Sequence, residues 1–109
     1  MANPSIQYAT DAAATIAREA ATAAEAAAEE ARRIVSTISP AAHIFQAIQT
    51  AADEASTAAR SAAHDVDIAD ESFGVDAAHA AALRAGASRD IAIAALEEIR
   101  RTVASSPAA

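Results

Sequence analysis

Residues 4–38, PSIQYATDAAATIAREAATAAEAAAEEARRIVSTI, decide the fold. At about 100° per residue, Ile6, Ala9, Ala13, Ile16, Ala20, Ala24, Ala27, Ala31, Ile34 and Ile38 fall on one stripe of a helix. Asp11, Arg18, Glu25, Glu29, Glu30, Arg32 and Arg33 occupy the opposite side. Asn3 is placed to cap this helix and Pro4 to open it, because the first helical N–H has no partner to lose. Such a helix is about 50 Å long. One apolar stripe of that length calls for a partner surface.

The stripe is built of alanine, and so is most of the chain. Of 109 residues, 38 are alanine and only 20 are larger hydrophobic residues. Alanine favours the helix and loses no rotamer freedom, but it buries little area. Cohesion must then come from close approach of helix backbones, at the short end of the usual range of roughly 8 to 10 Å. A monomer with so thin a core is marginal, so an oligomer or a partner-bound state is expected.

Ser39-Pro40 ends the first helix and, with Ser39 as cap and Pro40 as the first helical residue, starts a second over 40–64. The short link implies an antiparallel hairpin. The second stripe is Ile44, Ile48, Ala51, Ala52, Ala55, Ala59 and Ala62, with Val66 beyond and Phe45 on its border. Ile34 and Ile38 then meet Ile44 and Ile48, which predicts the tightest apolar cluster beside the turn. Residues 65–74 break the alanine pattern and read as an acidic loop, with Asp65, Asp67, Asp70 and Glu71 in water and Val66, Ile68 and Phe73 against the bundle. A third helix is expected over 75–85, ended by Gly86. A fourth, capped by Ser88, runs over 88–104 with a stripe of Ala92, Leu96, Ile99 and Val103 between Ile91 and Ile93. Residues 105–109 form a tail. The predicted architecture is all-α: an alanine-rich antiparallel hairpin extended by two shorter helices, a bundle of three to four helices in one domain spanning 1–109. No sequence repeat beyond the alanine bias stands out.

The net charge is −7 and all eight basic residues are arginine. An acidic chain does not bind nucleic acid by default. There is no cysteine, which removes disulfides, zinc thiolates and thiol nucleophiles. No run approaches the roughly 20 apolar residues of a membrane span. The N-terminus carries neither a basic start nor a continuous apolar stretch, so a cytoplasmic protein is expected.

Catalytic signatures are sparse. His79 lies between Val75 and Leu83 on one helical face, three residues after Asp76, a spacing that can share a metal or tune the imidazole. A di-iron bundle needs a second such pair and further inward carboxylates, which this sequence does not supply. The bland alternative for His79 is a bond to a carboxylate or carbonyl at the edge of the core. His43 and His64 fall on outer faces of the second helix. Counted from Asp65, a calcium loop would need glycine at the sixth place and glutamate at the twelfth, where Asp70 and Asp76 stand. Glu29-Glu30 and Glu97-Glu98 diverge by about 100° and form no acid/base pair. There is no nucleophile elbow, phosphate loop or dinucleotide fingerprint. Neither enzymatic activity, a cofactor, a metal nor a small-molecule substrate is expected.

The run from Ala82 through Gly86 to Ile91 resembles a helix-turn-helix corner, which implies a small DNA-associated regulator as an alternative. From Val75 to Ser105, however, four arginines are balanced by four acids, so the basic footprint of a DNA reader is missing. His79 with Leu83, Gly86 and Ile91 is also similar to the histidine-bearing helical corner of the carboxymuconolactone decarboxylase and alkylhydroperoxidase family, whose paired cysteines have no counterpart here. The hairpin with Ser36-Thr37-Ile38-Ser39 and Asp53-Glu54-Ala55-Ser56 resembles the mycobacterial PE proteins, which implies a secretion-associated helical partner. Their Pro-Glu signature is not found near this N-terminus, and no residue role carries over from either family. An amphipathic coat on a lipid or granule surface is a further alternative. The leading expectation is a non-enzymatic module that binds itself or another helical protein through Ile6, Tyr8, Ile16, Ile34, Ile38, Ile44, Ile48, Leu96, Ile99 and Val103.

Overall fold

A computed structural model of the chain describes residues 4–71 and 74–106, with side chains from residue 7 onward. Among the described residues the fold consists of three helices: α1 Pro4–Ser36, α2 Phe45–Glu71 and α3 Val75–Ser105. Each packs against both of the others. Arg18 on α1 reaches Asp70 on α2, and Arg32 reaches Ser56. An advance of 14 residues along α1 is therefore matched by a retreat of 14 along α2, which makes the pair antiparallel. α3 turns back again, so the order is up, down, up. The result is a rod of 64 × 17 × 15 Å whose radius of gyration, 17.2 Å, exceeds the roughly 13 Å of a compact domain of similar length.

The core follows a seven-residue repeat on all three helices. Lettering each repeat from a to g, α1 places Thr10, Ala17, Ala24, Ala31 and, past the helix end, Ile38 at a. Ala13, Ala20, Ala27 and Ile34 follow at d, and Ala14, Ala21, Ala28 and Val35 at e. On α2, Ile48, Ala55, Ala62 and Ala69 occupy a, followed by Ile44, Ala51, Ala58 and Asp65 at d. On α3, Ala78, Ala85, Ala92 and Ile99 occupy a, with Ala81 and Ala95 at d and Ala82 and Leu96 at e. Every residue in this set is buried except Ile34, which is half-buried. A strict repeat of seven keeps its seam toward a partner only if the helices wind around one another with a left-handed twist. That repeat goes unseen if each stripe is traced at 3.6 residues per turn. The traced stripe agrees with the observed one at most positions from Ala20 to Ile38, then drifts toward the N-terminus, where Ile16 was expected inside. Ile16 is instead 53% exposed, and Ala17 takes its place in the core.

Three helical boundaries differ from the sequence-based expectation. The second helix begins at Phe45, not at Pro40. Ser39 caps a single turn, accepting from the Ala41 N–H at its Oγ (3.2 Å) and from the Ala42 N–H at its carbonyl (2.9 Å). The extra residues let Ile38 and Ile44 both fold inward over the end of the bundle. The acidic loop expected over 65–74 is helical through Glu71. Its Asp65, Val66 and Ala69 continue the d, e and a positions, so burial carries the helix through the charges. Asp65, expected in water, is buried; Phe73 lies outside the described residues. The helices expected over 75–85 and 88–104 are one helix, since the row Ala78, Ala85, Ala92, Ile99 passes Gly86 without a change of register.

Gly86 has no positive φ and lies at a b position facing away from the seam. A Cβ there would meet only the Arg89 guanidinium, at 3.8 Å. Gly86→Ala is therefore expected to stabilise the protein by about 0.5–1 kcal/mol through lost freedom of the unfolded chain. Urea unfolding checks this; a left-handed capping glycine would give destabilisation instead.

The large side chains gather at the end of the rod that holds the α1–α2 link. Val35, Ile38, Ile44, Ile48, Leu96 and Ile99 are buried there, with Ile34, Phe45 and Val103 packed against them. The cluster expected from the two arms of the hairpin thus gains a third wall from α3. Beyond it the core is alanine almost throughout.

Candidate functional site

The ten residues expected at an interface divide sharply. Ile38, Ile44, Ile48, Leu96 and Ile99 are buried in the chain's own core, and Ile34 and Val103 are half-buried against it. They hold the bundle together, and only Ile34 and Val103 keep part of their surface outside it. Tyr8 and Ile16 are exposed, at 79% and 53%. The side chain of Ile6 lies outside the described residues. The outward-facing apolar set is completed by three α3 residues, Leu83, Ile91 and Ile93, which the sequence stripes had left on borders or outside. Tyr8 projects from the part of α1 N-terminal to Arg18, whose pairing with Asp70 marks the level at which α2 approaches its end.

Asp76 and His79 both stand on the first two turns of α3. Both side chains are exposed, and α3 presents them away from the core. Among the described residues no group of three or more histidines, aspartates or glutamates is arranged to hold a metal ion. His79 therefore does not occupy the edge of the core, because the seam is set by Ala78 and the next residue turns out to solvent. The corner at Gly86 shared by the helix-turn-helix and decarboxylase-like resemblances is not formed, since α3 runs straight through it.

A polar interruption of the alanine core lies at the α2–α3 interface. Asp65 stands at a d position and is only 9% exposed at its side chain. Arg84 Nε donates to Asp65 Oδ1 at 3.1 Å, from a g position on the facing helix. A buried carboxylate without a donor would be costly, and this one contact explains how α2 tolerates it. Arg84 is half-exposed, so the pair's net contribution to stability is small. Ser88, at the next d position of α3, is half-buried beside the same interface. Thr57, Arg60, Ser61 and His64 from α2 and Arg84, Ala87 and Ser88 from α3 line an open groove of about 630 Å³ around Asp65. A sequence signal for it is available: Asp65 is the polar residue on a row otherwise made of Ile44, Ala51 and Ala58, and Ser88 stands between Ala81 and Ala95 on the facing row. It becomes readable only once the seven-residue register is known.

The remaining ion pairs are exposed. Arg18 bonds Asp70 at 2.8 Å across α1 and α2, Arg33 is held by Glu29 and Glu30, Arg101 by Glu98 and Arg89 by Asp90. Surface pairs of this kind contribute little. No helix among the described residues is long and apolar enough to cross a membrane. No protein-family model, curated protein or solved structure matches the chain.

Proposed function

We propose that the chain is a non-enzymatic helical interaction module, cytoplasmic in setting, that binds a second copy of itself or another helical protein. The observation that supports this reading is where its scarce large side chains stand. The middle of the rod is held by alanine, while Tyr8, Ile16, Leu83, Ile91 and Ile93 face outward. A rod with this cross-section also exposes much surface for its length, and a partner lying alongside would bury what the alanine seam cannot. The reading moves the expected interface from the isoleucine cluster to these outward residues on α1 and α3.

Sedimentation velocity across a dilution series tests it. The expected result is a species heavier than the monomer at micromolar concentration, dissociating on dilution. Ile16→Glu and Leu83→Glu are expected to shift that equilibrium toward monomer by about tenfold or more, with helicity unchanged, because a desolvated charge opposes association. A steeply melting monomer at every concentration speaks against the reading.

A further inference from the structure

We propose that the groove between α2 and α3 is a binding site for a small, multiply charged oxyanion, a phosphate- or carboxylate-bearing molecule. Along α2, Thr57 and Ser61, and Arg60 and His64, are each four residues apart, so the four side chains present one continuous polar edge. Arg84 and Ser88 form the facing edge on α3, with the small Ala87 between them leaving room. The walls thus hold two guanidinium groups, an imidazole and three hydroxyls against a single carboxylate, on a chain whose net charge is −7. The space, about 630 Å³, is within the range that small-molecule sites occupy.

The donors in this groove are largely uncommitted. Asp65 takes the Nε of Arg84, which leaves that guanidinium's terminal N–H groups outside the pair. Arg60 donates a long hydrogen bond to Thr57 Oγ1, at 3.3 Å, and forms no ion pair among the described residues. Elsewhere Arg18, Arg33, Arg89 and Arg101 are each neutralised by a carboxylate, whereas Arg60, like Arg32 and Arg100, keeps its charge without an ion pair among the described residues. Arginine forks match the planar geometry of phosphate and carboxylate oxygens, and hydroxyls complete the shell. Asp65 has a second part here: it holds Arg84 along the groove wall and, as the one negative charge in it, weakens anion binding.

Titration of the full-length chain with sodium pyrophosphate, and in parallel with citrate, followed by backbone and arginine side-chain NMR, tests the site. At low salt a saturable shift confined to Arg60, Ser61, His64, Arg84 and Ser88 is expected, with a dissociation constant of about a millimolar or tighter. Arg60→Ala is expected to weaken binding about fivefold or more, and Arg100→Ala to leave it unchanged. Asp65→Asn keeps the shape and removes the competing charge, so it is expected to tighten binding; damage to the fold would do the reverse. Saturable binding of either anion at these residues supports the site, and the preference between them sets the ligand's class. Shifts spread equally over all arginines, or no saturation in the millimolar range, overturn it.

Discussion

Ile99→Ala is expected to lower the stability of the bundle by about 2–5 kcal/mol, a large loss for a single truncation. Ile99 and Ile48 are the largest side chains buried essentially completely, at 0% and 1% exposure. They stand in the cluster that closes the end of the rod, where Val35, Ile38, Ile44 and Leu96 surround them in a protein otherwise cored with alanine. These packed neighbours can relax only partly into the vacated space, so both the transfer and the cavity contributions are felt. Domains of this size have about 5–15 kcal/mol in total, and each 1 kcal/mol moves the melting temperature by roughly 4–8 °C. Far-UV circular dichroism during thermal and urea unfolding reads the effect. Ile93→Ala, at an outward b position, serves as the comparison and should stay within about 0.5 kcal/mol of the parent. Equal melting of the two variants would show that the end cluster does not carry the core.

Ala24→Leu is the second large effect, and it acts in the opposite direction of size. Ala24 is fully buried at an a position in the middle of α1, where the other two helices also present alanine. Close approach of three backbones leaves no pocket for an isobutyl group, so the helices must separate or the side chain must leave its rotamer. The expected loss is about 1–3 kcal/mol or more. Ala26→Leu, about 200° round the same helix and exposed, should be close to neutral by the same measurement. A gain in stability at position 24 would mean that the middle of the rod is loosely packed, and would remove the small-residue account of its cohesion.

Together these variants separate two sources of cohesion. The isoleucine end supplies burial per side chain, and the alanine middle supplies proximity. Gly86→Ala probes a third term, the entropy of the unfolded chain, at a position that touches neither.

The candidate surfaces were only partly legible. Tyr8 and Ile16 were singled out for an interface and do face outward, but Ile16 was reached through a stripe that placed it on the seam. Leu83, Ile91 and Ile93 emerge as outward residues because α3 is one helix with one register. Asp65 and Arg84, nineteen positions apart, come together across an interface that no local pattern specifies. His64, read as a solvated surface residue, is exposed and is also part of the groove wall.

By itself the sequence determined the helical class, the position of the first link and the gathering of Ile34, Ile38, Ile44 and Ile48 beside it. These follow from alanine's helix preference, from Ser39-Pro40 and from the spacing of a few large side chains, all of which act within a turn or two of chain. Tertiary structure alone decided that Gly86 does not stop α3, that the acidic run stays helical, and that Ala17 is buried where Ile16 is not. The physical reason is that a glycine's cost of about 1 kcal/mol, or a few charges at a helix end, is small beside continuous burial against two neighbours. The seam itself depends on winding: a repeat of seven departs from an ideal helix by about 20° per repeat in the left-handed sense, and packing against the other two helices is what makes the chain take up that difference.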